Sequence, residues 1–159
     1  MNYDEGVYNI MWITLCLTVW LFIIGAMDIQ SRCVPVWTLG FGGVLAICSL
    51  ICQFAAAGSS WVDIVWGMGP GILLLLLSLV TKNAGCGDGM AMLFLGVTVG
   101  GGESWLIFGL SLFGIAGYSL VVLVLQKAGR KTRIPYLPFL AAAWLLIMGQ
   151  NLPWKNPLW

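Results

Sequence analysis

Six apolar stretches follow one another along this chain, and the short segments between them carry most of its charged residues. A helix needs about 20 predominantly apolar residues to cross the hydrocarbon core of a bilayer. The stretches cover approximately residues 8–27, 37–54, 62–80, 89–101, 105–125 and 134–148. This pattern predicts an all-α, polytopic membrane protein with about six transmembrane helices.

The composition excludes a soluble protein. Sixty per cent of the 159 residues are hydrophobic, 8% are charged and the mean hydropathy is +0.98, whereas a globular domain has about 25% charged residues. A chain of this length has room for one integral-membrane domain, at residues 1–159, and for no sizeable soluble one. The net charge is only +1, and no basic face with interleaved aromatic residues is present. We therefore expect the lipid bilayer, and no nucleic acid, as a partner.

The positively charged residues predict the orientation of the chain in the membrane. Six of the seven follow the first, third and fifth stretches: Arg32, Lys82, Lys127, Arg130, Lys131 and Arg133. Lysine and arginine are enriched in short cytoplasmic loops, so the N-terminus is expected outside, in a multi-pass protein of the cell (inner or plasma) membrane. The first stretch has an acidic flank and no small-residue cleavage site, which indicates a retained span rather than a signal peptide.

Two pairs of glycines have the spacing that allows membrane helices to approach closely. Gly67 and Gly71 lie in the third stretch, and Gly96 and Gly100 lie in the fourth. Small residues four positions apart are typical of tight contacts between helices in membranes. We expect both pairs to lie at such contacts.

Two aspartates are expected together at the cytoplasmic face, because Asp28 ends the first stretch and Asp88 begins the fourth. The other four acidic residues are expected on the opposite side: Asp4, Glu5, Asp63 and Glu103. A pair of carboxylates can hydrolyse a peptide bond when one takes a proton from water and the other, protonated, polarises the scissile carbonyl. Such a close pair shares one proton. The chain has no histidine, which excludes Ser-His and Cys-His pairs and a histidine-ligated zinc.

Each of these residues also has an interpretation that involves no chemistry. Asp28 can simply end a span at the interface, and Asp88 can cap a helix N-terminus, where free amides and the helix dipole favour a carboxylate. Gly85 and Gly87 either allow a substrate strand to approach the backbone or only form a turn. The alternative function is a non-catalytic membrane transporter or scaffold whose paired carboxylates carry protons or ions.

Three motifs resemble those of the type IV prepilin peptidases, which are membrane aspartic proteases of the GxGD type. The sequence GCGD at 85–88 matches the GxGD signature, and DIQSRCVP at 28–35 matches an aspartate followed by a proline seven residues later. The segment RIPYLPFLAAAW at 133–144 is similar to the late IPxxPFL segment of the family. The motifs occur in the family's order, and each falls on the predicted cytoplasmic side.

The resemblance implies an aspartic endopeptidase that cleaves the leader peptide of prepilin-like proteins, for a type IV pilus or for protein secretion. Asp28 and Asp88 would be the catalytic residues and would use water. The residues that bind substrate or shape the site would be Gly85, Gly87, Pro35, Pro135 and Pro138. The two late prolines either break the sixth helix beside the site or only start it. The implied partner has a basic leader followed by a hydrophobic helix, and no metal or organic cofactor is implied.

The chain departs from the family in three places. Met90 stands where the family has a lysine, and Val36 stands where it has a polar residue after the first proline. A lysine at position 90 could place its ammonium group beside a carboxylate. The insert with two CxxC pairs, found in long members that also methylate the new N-terminus, is not in this sequence. The resemblance is therefore to a short form, and it supports cleavage but gives no support for methylation.

Overall fold

The computed structural model describes residues 3–31, 35–55, 60–81, 86–125 and 135–150, which form six α-helices. These are α1 Tyr3–Ser31, α2 Val36–Ala55, α3 Trp61–Thr81, α4 Cys86–Val99, α5 Gly101–Val124 and α6 Leu137–Gln150. Of these, α1, α2, α3 and α5 contain apolar segments long enough to cross a membrane. The predicted all-α membrane fold is confirmed.

The two remaining helices are too short to cross a bilayer of ordinary thickness. Helices α4 and α6 have 14 residues each, which corresponds to about 21 Å at 1.5 Å per residue. The hydrocarbon core of a bilayer is about 30 Å thick. At least one end of each short helix therefore lies within the thickness of the bilayer, at a level that the longer helices pass through.

The short helix α4 lies at the centre of the bundle. It packs against α2 and α3 and also contacts α5 and α6. Helix α1 packs against α2 and α6, and α5 packs against α3 and α6. Successive helices run in opposite directions, so one end of the bundle has the ends of α1, α3 and α5 and the beginnings of α2, α4 and α6. We call it the aspartate end, because Asp28 and Asp88 lie there.

The hydrophobic core is built by one face of each of four helices. Its buried members are Leu17, Trp20, Leu21 and Ile24 in α1, Ala91, Met92 and Leu95 in α4, Ile107 and Phe108 in α5, and Tyr136, Leu137, Leu140, Ala141, Ala143 and Trp144 at α6. The spacings of three and four residues in α1 and α4 place each set on one stripe of its helix. Outside this core, large apolar side chains such as Phe113 of α5 are exposed, as expected for surfaces that face lipid.

Glycines hold α3 and α4 close together. A Cβ on Gly67 would meet the carbonyl oxygen of Gly96, and a Cβ on Gly96 would meet that of Gly67. One turn along α3, Gly71 lies against the backbone of Leu93 in the same way. The carbonyl oxygen of Gly67 also accepts a hydrogen bond of 2.8 Å from the buried hydroxyl of Ser104 in α5. The predicted tight packing is confirmed for Gly67, Gly71 and Gly96, whereas a Cβ on Gly100 would have nothing within 4 Å.

The connection between α4 and α5 is a single residue, Gly100. Its φ of 90° is a conformation that glycine adopts without steric cost, and it lets the chain reverse at once. The amide of Gly100 donates to the carbonyl of Gly96 at 3.1 Å. The predicted end of the fourth span at residue 101 is wrong, because Gly101 already belongs to α5. Hydropathy alone does not reveal a reversal inside a continuous run of apolar and small residues.

The last turn of α4 is completed by a side chain from α2. The last carbonyls of a helix have no partner within it, and in a membrane no water replaces one. The side-chain amide of Gln53 donates to the carbonyls of Val97 and Thr98 at 3.1 and 3.4 Å and to the hydroxyl of Ser49 at 2.9 Å. Gln53 thereby ties α2 to the end of α4 that lies away from the aspartates.

We predict that Gly96→Ala destabilises the bundle and that the matched variant Gly109→Ala does not. The new methyl group at position 96 would meet backbone atoms of Gly67, whereas a Cβ on Gly109 has nothing within 4 Å. Overpacking of this kind costs about 1–3 kcal/mol, while alanine is favoured over glycine in a helix by about 1 kcal/mol. The free energy of unfolding in detergent micelles measures both effects. Equal values for the two variants would contradict the close packing of α3 on α4.

Candidate active site

Asp28 lies at the end of the apolar stripe that α1 turns toward the core. Leu17, Leu21 and Ile24 precede it at helical spacing, and all three are fully buried. Asp28 continues this stripe and is only 8% exposed. A carboxylate in such a position is costly unless the surrounding protein supplies hydrogen bonds. Its partner must therefore come from the helix that packs on this face, which is α6.

The beginning of α6 supplies that partner. The backbone amide of Leu137 donates to Oδ2 of Asp28 at 3.3 Å, and the backbone of Tyr136 also interacts with this carboxylate. The first amides of a helix have no partner within it, and its dipole favours negative charge there. Asp28 thus meets a helix N-terminus although it belongs to a different helix.

The two late prolines lie at the beginning of α6. Pro135 precedes the helix, and Pro138 is its second residue. Proline is tolerated in the first turn of a helix because the amide it lacks would have no partner there. The sequence allowed these prolines either to break the sixth helix or to start it, and in the described residues they lie at the start of the helix. Pro138 also lies against α1, since a Cβ on Gly25 would be 3.5 Å from the Cα of Pro138. Gly25 therefore lets α6 come close to α1 one turn before Asp28.

Asp88 lies in the first turn of α4 and faces the same core. It is the third residue of the helix rather than its N-cap. Ala91, Met92 and Leu95 follow it at helical spacing and are fully buried in the cluster that also contains Tyr136 and Leu137. The charge of Asp28 acts electrostatically on Asp88. The two aspartates, 60 residues apart in the sequence, therefore lie near each other at the aspartate end.

Tyr136 belongs to the same constellation, and the sequence did not single it out. Its side chain is 8% exposed, and its hydroxyl lies 3.1 Å from that of Ser111 in α5. The charge of Asp88 also acts on this phenol. Tyr136 stands in the segment RIPYLPFL. A tyrosine between two prolines, in an otherwise apolar segment, could have pointed to this residue. A buried tyrosine hydroxyl usually needs a hydrogen-bond partner.

Of the remaining predicted site residues, two lie at the aspartate end and one lies outside the described residues. Gly87 precedes Asp88 in the first turn of α4, and Gly85 lies outside the described residues. Pro35 immediately precedes α2, and its carbonyl accepts hydrogen bonds from the amide and hydroxyl of Thr38 at 3.1 and 2.7 Å. Met90 is 38% exposed and two residues from Asp88, a spacing at which helical side chains do not face each other. This geometry argues against a lysine at position 90 lying beside Asp88.

Asp63 and Glu103 lie at the other end of the bundle. Asp63 is in the first turn of α3 and Glu103 in the first turn of α5. The two turns are neighbours, because a Cβ on Gly101 would be 3.3 Å from the carbonyl oxygen of Asp63. The predicted separation of these acidic residues from Asp28 and Asp88 is therefore present in the fold.

The constellation can support acid–base chemistry. Two neighbouring carboxylates can exchange protons with a water bound between them, and the helix N-terminus orients one of them.

No protein-family model, curated protein or solved structure matches this chain.

We predict that cysteines introduced at Gly25 and Pro138 form a disulfide bond. One carbon–carbon bond of about 1.5 Å separates Cβ from Cα, so the 3.5 Å approach of a Cβ on Gly25 to the Cα of Pro138 keeps the two Cα atoms within about 5 Å. This lies within the usual range for disulfides. The five native cysteines are first replaced by alanine. Oxidation should then cross-link the pair, as measured by protease fragments that separate only after reduction.

The matched control is Gly40→Cys combined with Pro138→Cys. A Cβ on Gly40 has nothing within 4 Å, so this pair should not cross-link. Equal cross-linking of both pairs would contradict the described packing of α1 against the beginning of α6.

Proposed function

We propose that this protein is a membrane aspartic endopeptidase that cleaves the leader peptide of prepilin-like proteins, with Asp28 and Asp88 as its catalytic pair. The observation that carries the proposal is the meeting of three segments at one end of the bundle. These are the end of α1 with Asp28, the beginning of α4 with Asp88, and the beginning of α6 with Leu137. They are also the three segments whose motifs resemble the prepilin peptidases.

The charge distribution supports a cytoplasmic position for this site. The sequence between α1 and α2, between α3 and α4, and between α5 and α6 contains six of the seven lysines and arginines. All three connections join helices at the aspartate end. Because short cytoplasmic loops are rich in lysine and arginine, we infer that the aspartate end faces the cytoplasm and that the N-terminus lies outside.

The proposed reaction begins with one aspartate ionised, the other protonated, and a water bound between them. The ionised carboxylate takes a proton from the water as the water oxygen bonds to the scissile carbonyl carbon. The protonated carboxyl group gives its proton to the carbonyl oxygen, which yields a tetrahedral diol. The diol then returns a proton to one carboxylate while the other protonates the leaving nitrogen, and the carbon–nitrogen bond breaks. The pair ends with one proton, as it began.

The depth of the site suits a substrate cut where a leader meets a membrane helix. Ser111, which contacts Tyr136, is followed by 13 further residues of α5, or about 20 Å of helix. Helices α4 and α6 begin beside the aspartates instead. We therefore expect the scissile bond of a substrate helix in the bilayer to lie at the level of Asp28 and Asp88.

We predict that Asp28→Asn and Asp88→Asn each abolish cleavage of a coexpressed prepilin, with expression and membrane insertion unchanged. Asparagine keeps the shape of aspartate but cannot exchange the proton, and losing one member of an acid–base pair costs at least about 10²-fold in rate. The matched control is Asp63→Asn, which changes an exposed aspartate at the opposite end and should retain full activity. The measurement is the fraction of prepilin processed over time. Substantial processing by either site variant would exclude the aspartyl mechanism, and a transporter or scaffold would leave the prepilin uncut throughout.

The orientation is tested by labelling single cysteines with a membrane-impermeant reagent in intact cells. Lys131→Cys, between α5 and α6, should be protected, and Gly102→Cys, at the exposed beginning of α5, should react. Permeabilised cells are the control in which both should be labelled. If both positions react in intact cells, the inferred cytoplasmic site is wrong.

A further inference from the structure

Tyr136 contacts helices α1 and α5 and lies in the same core cluster as residues of α4. Its carbonyl oxygen accepts the amides of Phe139 and Leu140 at 3.1 and 3.2 Å, so it caps the beginning of α6. Its backbone and that of Leu137 meet Asp28 of α1. Its phenol reaches Ser111 of α5, and its ring lies in the core cluster with Ala91 and Met92 of α4.

The direction of the hydrogen bond between Tyr136 and Ser111 follows from the number of protons available. The hydroxyl of Ser111 donates its only proton to the carbonyl oxygen of Phe108 at 2.8 Å, since a carbonyl can only accept. The oxygen of Ser111 can then only accept from the phenol of Tyr136, 3.1 Å away. The result is a chain from Tyr136 through Ser111 to the backbone of α5. Ser111 is 1% exposed, so water does not compete for these bonds.

This anchor limits the movement of the backbone that binds Asp28. The phenol is hydrogen-bonded to Ser111 of α5, and the ring belongs to the core cluster. Both contacts restrict rotation of the main chain at Tyr136. The next amide along the chain is that of Leu137, which donates to Asp28. A carboxylate held to within about 0.5 Å of its productive position needs such support from the groups around its direct partners.

We propose that Tyr136 is a positioning residue of the proposed peptidase, and that its phenol, anchored on Ser111, fixes the Leu137 amide that orients Asp28 beside Asp88. This inference rests on the proposed function for its effect on catalysis. Its structural part concerns the Leu137 amide alone and is testable without a substrate.

The kinetic experiment compares Tyr136→Phe, Ser111→Ala and the double variant in cleavage of a prepilin in lipid vesicles. Each single variant should lower kcat about tenfold, in keeping with the loss of one buried hydrogen bond, and leave KM unchanged. The double variant should lose no more than either single variant, because both break the same chain. Ser111→Thr, which keeps the hydroxyl, should restore kcat.

The matched control breaks another hydrogen bond between helices, one that is partly buried and involves the core residue Trp144. Thr18→Val removes the acceptor of the 2.9 Å bond from the indole of Trp144, which joins α1 to α6 away from the aspartates. This variant should keep the wild-type kcat. A similar loss in Thr18→Val would show that general weakening of the core, and not positioning of Asp28, lowers the rate, and would overturn the inference.

The second measurement is hydrogen exchange at the amide of Leu137 in detergent micelles. Tyr136→Phe should accelerate exchange at this amide about tenfold, since the anchor that holds it to Asp28 is lost. Unchanged exchange, or an unchanged kcat in an active enzyme, would overturn the positioning role. A wild-type protein that cleaves no prepilin would instead overturn the proposed function, and the exchange result would still decide the role of Tyr136.

Discussion

The hydrogen bond from the Leu137 amide to the buried carboxylate of Asp28 joins α1 to α6, and the site is assembled around it. Inside a bilayer, a polar group without a partner in the protein is costly. The end of α1 leaves a carboxylate facing the core, and the beginning of α6 has amides without partners in their own helix. The amide of Leu137 donates a hydrogen bond to the carboxylate of Asp28, so both polar groups have a partner. The contact of Gly25 with Pro138 allows the two helices to come close enough for this pairing.

Close packing of α3 on α4 determines where the second aspartate lies. The glycines at this contact remove the side chains that would separate the two backbones, so the short helix α4 fits at the centre of the bundle. Its core-facing stripe runs from Asp88 through Met92 to Leu95. The apolar residues of this stripe belong to the same core cluster as Tyr136 and Leu137. Their packing therefore also places Asp88 near Asp28.

The lengths of the helices matter for what the site can reach. The short helices α4 and α6 begin at the level of the aspartates, whereas α5 continues for about 20 Å beyond Ser111. A carboxylate pair at such a depth is accessible to a peptide that lies in the membrane, because Asp88 is partly exposed at the surface of the bundle. This combination suits hydrolysis at the boundary between a soluble leader and a membrane helix, in accordance with the proposed peptidase.

The sequence by itself determined the all-α membrane fold, the six helices, the glycine contacts of α3 and α4, and the common end of Asp28 and Asp88. These features follow from the hydropathy of each segment and from the spacing of residues within it, which are properties of the local sequence. It did not predict the turn at Gly100, where a positive φ reverses the chain without any polar residue, or the place of Tyr136. Tertiary structure alone decided the partners of Asp28 and Ser111, because hydrogen bonds across 109 and 25 residues depend on how the helices pack.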